Sequence, residues 1–338
     1  MNGLKKTILF CLAVSIVGAA FFAVAYLVYP SVDNENVAAN GGSAPDRSKG
    51  AINVLLLGTD KEASLCDVIM LANIDCDKNC VTIAQIPRDT YANYTDNSYK
   101  KLNGAYNSLG GAKETASFLE GALGIKIDHY ICVGLDTVRA MVDAVGGVDI
   151  NIPFDMKYCD PEQDLYIDIK KGANHLDGAL AEQFLRFRSA YLQGDIGRID
   201  AQKIFVAAFL EKISSCFSPA VAVKLAGAAE GIETDMSVAD IMSLGVQALD
   251  MKGDSINILT LAGSEVTATQ SGASYYVLSR PSCEEIMQKY FGGAEFDKEK
   301  ILLNKGYTTF KKAYFDRVEY TVLPIEKIKE EGLQIQIK

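Results

Sequence analysis

From Thr7 to Tyr29 the chain carries 23 consecutive uncharged residues, rich in Ile, Leu, Phe, Val and Ala and preceded by Lys5 and Lys6. As a helix rising about 1.5 Å per residue, this run is roughly 35 Å long, enough to cross a hydrocarbon core of about 30 Å. The paired lysines precede it and no basic residue comes after it until Arg47. The positive-inside rule therefore places the N-terminus in the cytoplasm and everything after the span outside, as a single-pass protein of the plasma membrane. Ala23-Val24-Ala25 has the small-x-small form of a signal-peptidase site, so a cleaved leader is the alternative. The apolar run continues to Tyr29, longer than a typical leader core, which favours the anchor. Either way the remainder is exported.

Residues 30–50 (PSVDNENVAANGGSAPDRSKG) are poor in large apolar side chains and rich in Asn, Gly, Ser and Pro, and read as a flexible linker. Seven cysteines lie beyond the span, an odd, scattered set that forms no disulfide framework. Cys76 and Cys80 bracket Asp77-Lys78-Asn79, a turn between two apolar runs, so they either bridge in an oxidising compartment or stay reduced as small apolar residues. The 338-residue chain has a net charge of −10, a poor balance for a protein that binds a polyanion through its whole surface. A phosphate site must then be a local arginine cluster. With His129 and His175 the only histidines, a His-rich zinc site or Ser-His-Asp triad is disfavoured, and metal chemistry falls to carboxylates.

Ile52 to Leu57 is a continuous apolar run ending in Gly58-Thr59-Asp60, the pattern of a strand buried on both faces that delivers a polar loop. Strands are predicted at Val68–Ile74, Val81–Ile86, His129–Val133, Val148–Ile152 and Ile256–Leu261. Helices are predicted at Ala112–Leu123, Leu135–Val145, about Gly197–Ile213, Ala220–Ala229 and Ser237–Leu249, and a capping box from Ser282 and Glu285 opens a helix running to Tyr290. This alternation implies an α/β fold, a layered mixed sheet with helices on both faces, preceded by one transmembrane helix. The domain plan is a cytoplasmic tip and span (1–29), a linker (30–50), a catalytic domain (51–280) and a C-terminal extension of unknown role (281–338).

No P-loop, dinucleotide fingerprint, GxSxG or HExxH is present. The informative residues are acids and arginines at strand and helix ends: Asp60, Asp67, Arg88, Asp89, Arg186, Arg188, Asp195, Arg198 and Gln202. Ligands bind where strands end in open α/β sheets. Arg186 and Arg188 share a face only if their segment is extended, which also turns Leu185 and Phe187 into the core. Arg198 and Gln202 are one helical turn apart, close to a helix N-terminus that favours an anion. Arginines supply bidentate donors to phosphate and Asp60 with Asp67 supplies hard oxygens, an arrangement suited to a pyrophosphate with a divalent cation. Arg139 falls outside this set and serves as a neutral reference.

The same residues, in order, resemble the LytR-CpsA-Psr family of membrane-anchored cell-wall enzymes. The matching strings are Leu55–Asp60, Cys66–Leu71, Ile86–Thr90, Lys101-Leu102-Asn103 with Ala105-Tyr106, Ile127–Tyr130, Val142–Val148, Leu176-Asp177-Gly178 and Arg186-x-Arg188, then Asp195, Arg198 and Gln202. The resemblance implies a transferase that moves a glycopolymer from a polyprenyl-pyrophosphate carrier to a cell-wall acceptor, usually peptidoglycan, as a phosphodiester. It implies Asp60 and Asp67 as ligands of Mg²⁺ (or Mn²⁺), and Arg88, Arg186, Arg188, Arg198 and Gln202 on the pyrophosphate. Arg88 and Arg186 with Asp89 and Asp195 form the catalytic set, one of the two acids accepting the acceptor's proton. It also implies an apolar cavity for the lipid beneath the phosphates. Two positions depart from the family's usual pattern: Ala201 where many members carry a second Arg, and Cys66 where Ser is common.

Overall fold

The computed structural model describes residues 50–59, 65–95, 100–161, 165–187, 195–216, 218–237, 240, 256–268, 272–297, 300, 308–324 and 327–328. The apolar run Thr7–Tyr29, the linker and most of the helix expected at Ser237–Leu249 lie outside these residues. Among the described residues no helix is long and apolar enough to cross a membrane.

The order of elements is β1 (Ala51–Thr59), β2 (Cys66–Asp75), β3 (Cys80–Gln85), α1 (Ala105–Leu109), α2 (Ala112–Leu123), β4 (His129–Gly134), α3 (Leu135–Ala144), β5 (Val148–Ile152), β6 (Met156–Asp160), β7 (Leu165–Ile169), β8 (Gly172–Leu176), α4 (Gly178–Arg186), α5 (Asp195–Cys216) and α6 (Pro219–Ala228). Then come β9 (Ile232–Thr234), β10 (Ile256–Thr260), β11 (Gly263–Thr267), β12 (Ser274–Leu278), α7 (Arg280–Tyr290), α8 (Thr308–Phe315) and β13 (Leu323–Pro324). Among the described residues, seven strands make the central sheet in the order β13-β10-β3-β2-β1-β4-β9. It is mixed: β1 runs parallel to β4 and β3 to β10, while the β1–β2, β2–β3, β4–β9 and β10–β13 pairs are antiparallel.

Alternation along β1 explains the layering. Val54 enters one core with Met141, Phe184, Phe205 and Phe209 of α3, α4 and α5. Leu55 and Leu57 enter the other with Leu119 of α2, Ile286 of α7 and Tyr314 of α8. A strand apolar on both faces needs helices on both faces, and it has them. The segment after residue 280, expected as an extension, supplies Cys283, Ile286, Met287, Phe310 and Tyr314 to this second core and β13 to the sheet edge.

One buried amide ties that segment in. Asn53 on β1 donates through Nδ2 to the carbonyls of Lys126 (2.7 Å) and Phe291 (3.0 Å), and its Oδ1 accepts from Asn73 of β2 at 2.8 Å. Asn53→Ala leaves several buried partners unpaired at once, and is expected to cost at least about 2 kcal/mol of stability, read by chemical denaturation.

The capping box expected from Ser282 and Glu285 does not form. The helix begins earlier, at Arg280 after Ser279, and Ser282 is buried within it. The Ser282 hydroxyl donates to the Val318 carbonyl (2.6 Å) and accepts from the Val318 amide (2.9 Å), while Glu285 faces Arg317 and Tyr320. A tertiary strand-like contact thus outcompetes the local cap.

Cys76 and Cys80 are not joined by a disulfide. The β2–β3 register sets Asp75 opposite Cys80, with Val81 and Ile83 turned to the α5 side and Cys80 to the other, whereas Cys76 packs on the α5 side. Lys78 closes the hairpin instead, its amide donating to Asp75 Oδ1 at 2.9 Å and its ammonium to Oδ2 at 2.7 Å. Burial, together with the Glu233 carboxylate, pushes the Cys132 thiol up to about 12, and burial raises the Cys283 thiol as well. At pH 8 both are protonated and enclosed, so alkylation of the folded protein is expected to mark exposed Cys159 and spare Cys132 and Cys283, as intact and peptide mass measurements will read.

Candidate functional site

The site gathers where β1 and β3 end and β2 begins. The β1–β2 pairing shifts register between Gly58 and Thr59, a bulge just before Asp60. Asp67, second residue of β2, meets Arg88, which comes after the Ile86-Pro87 exit of β3. Arg88 Nη1 lies 2.5 Å from Asp67 Oδ1, and its Nε lies 3.8 Å from Asp89 Oδ1. Asp89 Oδ2 also holds the Lys101 ammonium at 3.0 Å. The Asn103 amide donates to the Arg88 carbonyl at 3.0 Å, which fixes the backbone of this turn. Two acids thus pin two cations at the rim, all four groups partly exposed.

A second cluster comes from α4. Asp177 caps this helix, its Oδ1 accepting from the Leu180 amide at 2.9 Å. Arg186 is the last helical residue, so the Arg186 segment is helical rather than extended, and its side chain turns back one turn to Glu182. Arg186 Nη1 lies 3.1 Å from Glu182 Oε1, and Arg139 Nη1 of α3 lies 3.4 Å from Glu182 Oε2. The Glu182 side chain is only 8% exposed, so two arginines share one buried carboxylate. Arg139 is therefore no neutral reference, because it helps hold the group that orients Arg186. Phe187 then leaves the helix extended and is buried, as expected.

The third part is Gln202 on α5. It is buried, and its Oε1 accepts from Gln85 Nε2 of β3 at 2.6 Å, a bond that joins the helix to the strand leading into Arg88. Ala201 is fully buried in the core on the α5 side.

These parts share one cavity. Between the sheet and α3, α4 and α5 lies a cavity of about 130 Å³, lined by Leu56, Val68, Met70, Ile131, Phe205 and Phe209 among other apolar groups. Gln202 is the polar residue in the lining, and Leu185 and Val68, chain neighbours of Arg186 and Asp67, line it too. Gln202 thus stands in the wall of one apolar chamber, and Asp67 and Arg186 are each one residue along the chain from a wall residue. Asp60 and Arg188 lie outside the described residues. Asp195 and Arg198 fall in the first turn of α5, which begins at Asp195, and their side chains are not among the described groups.

Sequence patterns alone did not reveal Glu182, Gln85, Lys101 and Arg139 as parts of the site. Glu182 carried a signal, its spacing of four from Arg186. Gln85 carried none, since only the fold brings β3 against α5. No group of three or more His, Cys, Asp or Glu placed to hold a metal occurs among the described residues. Mg²⁺ takes one or two protein carboxylates together with phosphate oxygens, and Asp67, 32% exposed at the rim, offers a donor of that kind, so the residues fit a cation that shares its shell with substrate.

Comparisons with known proteins agree with this fold. The polyisoprenyl-teichoic acid–peptidoglycan teichoic acid transferase TagV of Bacillus subtilis (strain 168) is 30% identical over 251 residues, covering 71% of this chain but 64% of TagV, less than two thirds of that protein. The corresponding transferase TagU of Oceanobacillus iheyensis is 27% identical over 295 residues, covering 82% of this chain and 89% of its own. The crystal structure of B. subtilis TagV matches with a TM-score of 0.61 at 27% identity, over 72% of this chain and 96% of that one. Protein gbs0355 of Streptococcus agalactiae shares the fold, with a TM-score of 0.66 at 20% identity over 80% and 98% of the two chains. The LytR_cpsA_psr family matches residues 28–291, through both cores, the arginine and acid rim and the cavity beneath it, and the chain belongs to that family.

Proposed function

We propose that this protein is a membrane-anchored phosphotransferase, moving a glycopolymer from a polyprenyl-pyrophosphate carrier to a cell-wall acceptor, with peptidoglycan as that acceptor. The observation that carries the reading is the apolar chamber with Gln202 in its wall and Asp67 and Arg186 next in sequence to wall residues. A donor that is greasy at one end and doubly phosphorylated at the other needs that juxtaposition. TagV and TagU, named as transferases of polyisoprenyl-linked teichoic acid to peptidoglycan, support the same class. The Thr7–Tyr29 run anchors the chain in the plasma membrane, where the carrier is found, with the domain outside.

The acceptor hydroxyl forms a bond to the glycan-proximal phosphorus, the pyrophosphate bridge breaks, and the bridging oxygen leaves on polyprenyl phosphate. The hydroxyl proton passes to Asp89 or Asp195. Arg88, Arg186, Arg188, Arg198 and Gln202 hold the phosphates, and Glu182 fixes the direction of Arg186 before substrate arrives. Asp60 and Asp67 would hold Mg²⁺ or Mn²⁺, whose chemistry is to neutralise charge on the departing phosphate. The cavity excludes water from the lipid side of the reacting centre.

Mass spectrometry of lipid extracted from the detergent-solubilised full-length protein tests this reading. Polyprenyl phosphate or pyrophosphate is the expected ligand. Bilayer phospholipid alone, in protein purified from cells rich in the carrier, contradicts it.

A further inference from the structure

The lipid chamber lies on one face of the sheet. On the other face of the same strands, a row of polar and aromatic side chains follows the β4–β9 pair and ends at a cavity beside α2. Tyr130 and Cys132 point to that face, with Glu233 of β9 directly across from Cys132. The Tyr106 hydroxyl of α1 donates to Glu233 Oε2 at 3.0 Å and contacts the Cys132 thiol, which also meets Thr59, the residue before Asp60. Tyr106 is three residues from Asn103, which is bonded to Arg88. Through Thr59 this end of the row reaches the strand end that leads into Asp60, on the sheet face opposite the lipid chamber.

From there β4 leads back about 3.3 Å per residue to Tyr130, roughly 13 Å from Gly134. At that end a separate cavity of about 370 Å³ opens between α2 and the sheet edge, lined by Lys113, Ser117, Glu120, His129, Tyr130 and Asp235. Asp235 Oδ1 accepts the Tyr130 amide at 3.0 Å and lies 3.5 Å from His129 Nδ1. Gly111, at φ +128°, carries the chain past Glu233 where the nearest carboxylate oxygens of Glu114 and Glu233 stand 3.6 and 3.8 Å from the site a Cβ would fill.

We propose that this row and the cavity at its end form one groove, the acceptor subsite, and that it binds a segment of glycan strand, the peptidoglycan acceptor of the proposed reaction, on which reading this inference rests. Three observations converge. First, in-line displacement sets the attacking and leaving oxygens on opposite sides of phosphorus. The leaving oxygen belongs to the lipid, whose chamber is on the α5 face, so the acceptor enters from the Tyr106 face. Second, two half-buried tyrosines with carboxylates beside them suit a sugar, which offers C–H faces to rings and hydroxyls to acceptors. Burial and the Glu233 contact raise the Tyr106 phenol, which keeps it a donor at every working pH. Third, Glu114, Glu120, Glu233 and Asp235 outnumber Lys113 along the groove, a field that repels a phosphate-rich polymer and admits a neutral or amine-bearing strand.

The test uses the full-length protein in detergent, a polyprenyl-pyrophosphate donor, and soluble uncross-linked glycan fragments released from peptidoglycan by a muramidase. Glu233→Gln and Tyr130→Ala are each expected to raise the acceptor KM about tenfold, and to weaken direct fragment binding equally, with donor Kd within twofold of wild type. Tyr106→Phe keeps the ring and is expected to give a smaller rise. Poly(glycerol phosphate) is expected not to compete for the groove. An acceptor KM within twofold of wild type in both Glu233→Gln and Tyr130→Ala overturns the proposal, as does competition by the anionic polymer. The two readings fail separately: a wild-type protein that binds fragments but no polyprenyl pyrophosphate loses the donor chemistry and keeps the groove. One that binds the donor while Glu233→Gln and Tyr130→Ala bind fragments like wild type loses only the groove.

Discussion

Replacing Arg186 with alanine is expected to weaken binding of a short-chain polyprenyl pyrophosphate about 10- to 100-fold, since a hydrogen bond to a charged group is worth about 1.5–3 kcal/mol and each 1.4 kcal/mol is tenfold. Arg186→Lys recovers part of this, because a point charge replaces a planar two-pronged donor. Glu182→Gln is the more revealing change. It removes the charge shared by Arg186 and Arg139, at 3.1 and 3.4 Å, so donor affinity is expected to fall although Glu182 touches no phosphate. Arg139→Ala acts through the same carboxylate. With its own side chain 40% exposed, its effect is expected to stay below about fivefold, in keeping with the small worth of partly exposed ion pairs. Lys170, exposed and paired with Asp168 near the β6–β7 hairpin, is the reference that leaves affinity unchanged. Calorimetric titration of each variant, checked for melting temperature, reads the set.

The second large effect concerns the cation. EDTA is expected to abolish transfer, and Asp67→Ala to raise the Mg²⁺ or Mn²⁺ concentration for half-maximal rate at least about tenfold, since Mg²⁺ has few protein carboxylates to lose. Asp67 also holds Arg88 at 2.5 Å, so its loss frees that guanidinium as well. The two roles separate by titration. A lost ligand is answered by more metal, whereas a misdirected arginine leaves a rate deficit at saturating metal, which Arg88→Lys reproduces. Full activity of Asp67→Ala in EDTA removes the cation from the mechanism.

Much of this frame was legible in the sequence because it is written in local patterns. The doubly buried Ile52–Leu57 run, the β2–β3 hairpin and the glycine-ended helix Ala112–Leu123 all appear where periodicity puts them. What escaped depends on contacts between distant segments. The α4 helix was hidden because Gly178-Ala179 is a weak helix start, rescued by the Asp177 cap and by Phe184 packing into the core. Strands β6, β7 and β8 are short and exchange hydrogen bonds only in two-stranded pairs. Ser282 and Glu285 fit a cap in spacing, yet Val318 and Arg317, more than thirty residues on, claim their side chains. In the site, the residue types pointed to Arg88, Asp67, Arg186 and Gln202, while the groups that aim them, Glu182 and Gln85, are set by tertiary packing alone.

A rim that transfers phosphates differs from one that merely binds them in a single observable, turnover. The reaction combines full-length protein in detergent with Mg²⁺, a polyprenyl-pyrophosphate-linked glycopolymer and muramidase-released glycan fragments, and is monitored for free polyprenyl phosphate and for phosphodiester-linked product. Many equivalents of both per protein are expected, in equal amounts, and are expected to be lost in Arg88→Ala and in EDTA. Tight donor binding with no polyprenyl phosphate released beyond one equivalent would contradict transfer, and would make the protein a lipid-phosphate binder built on a transferase fold.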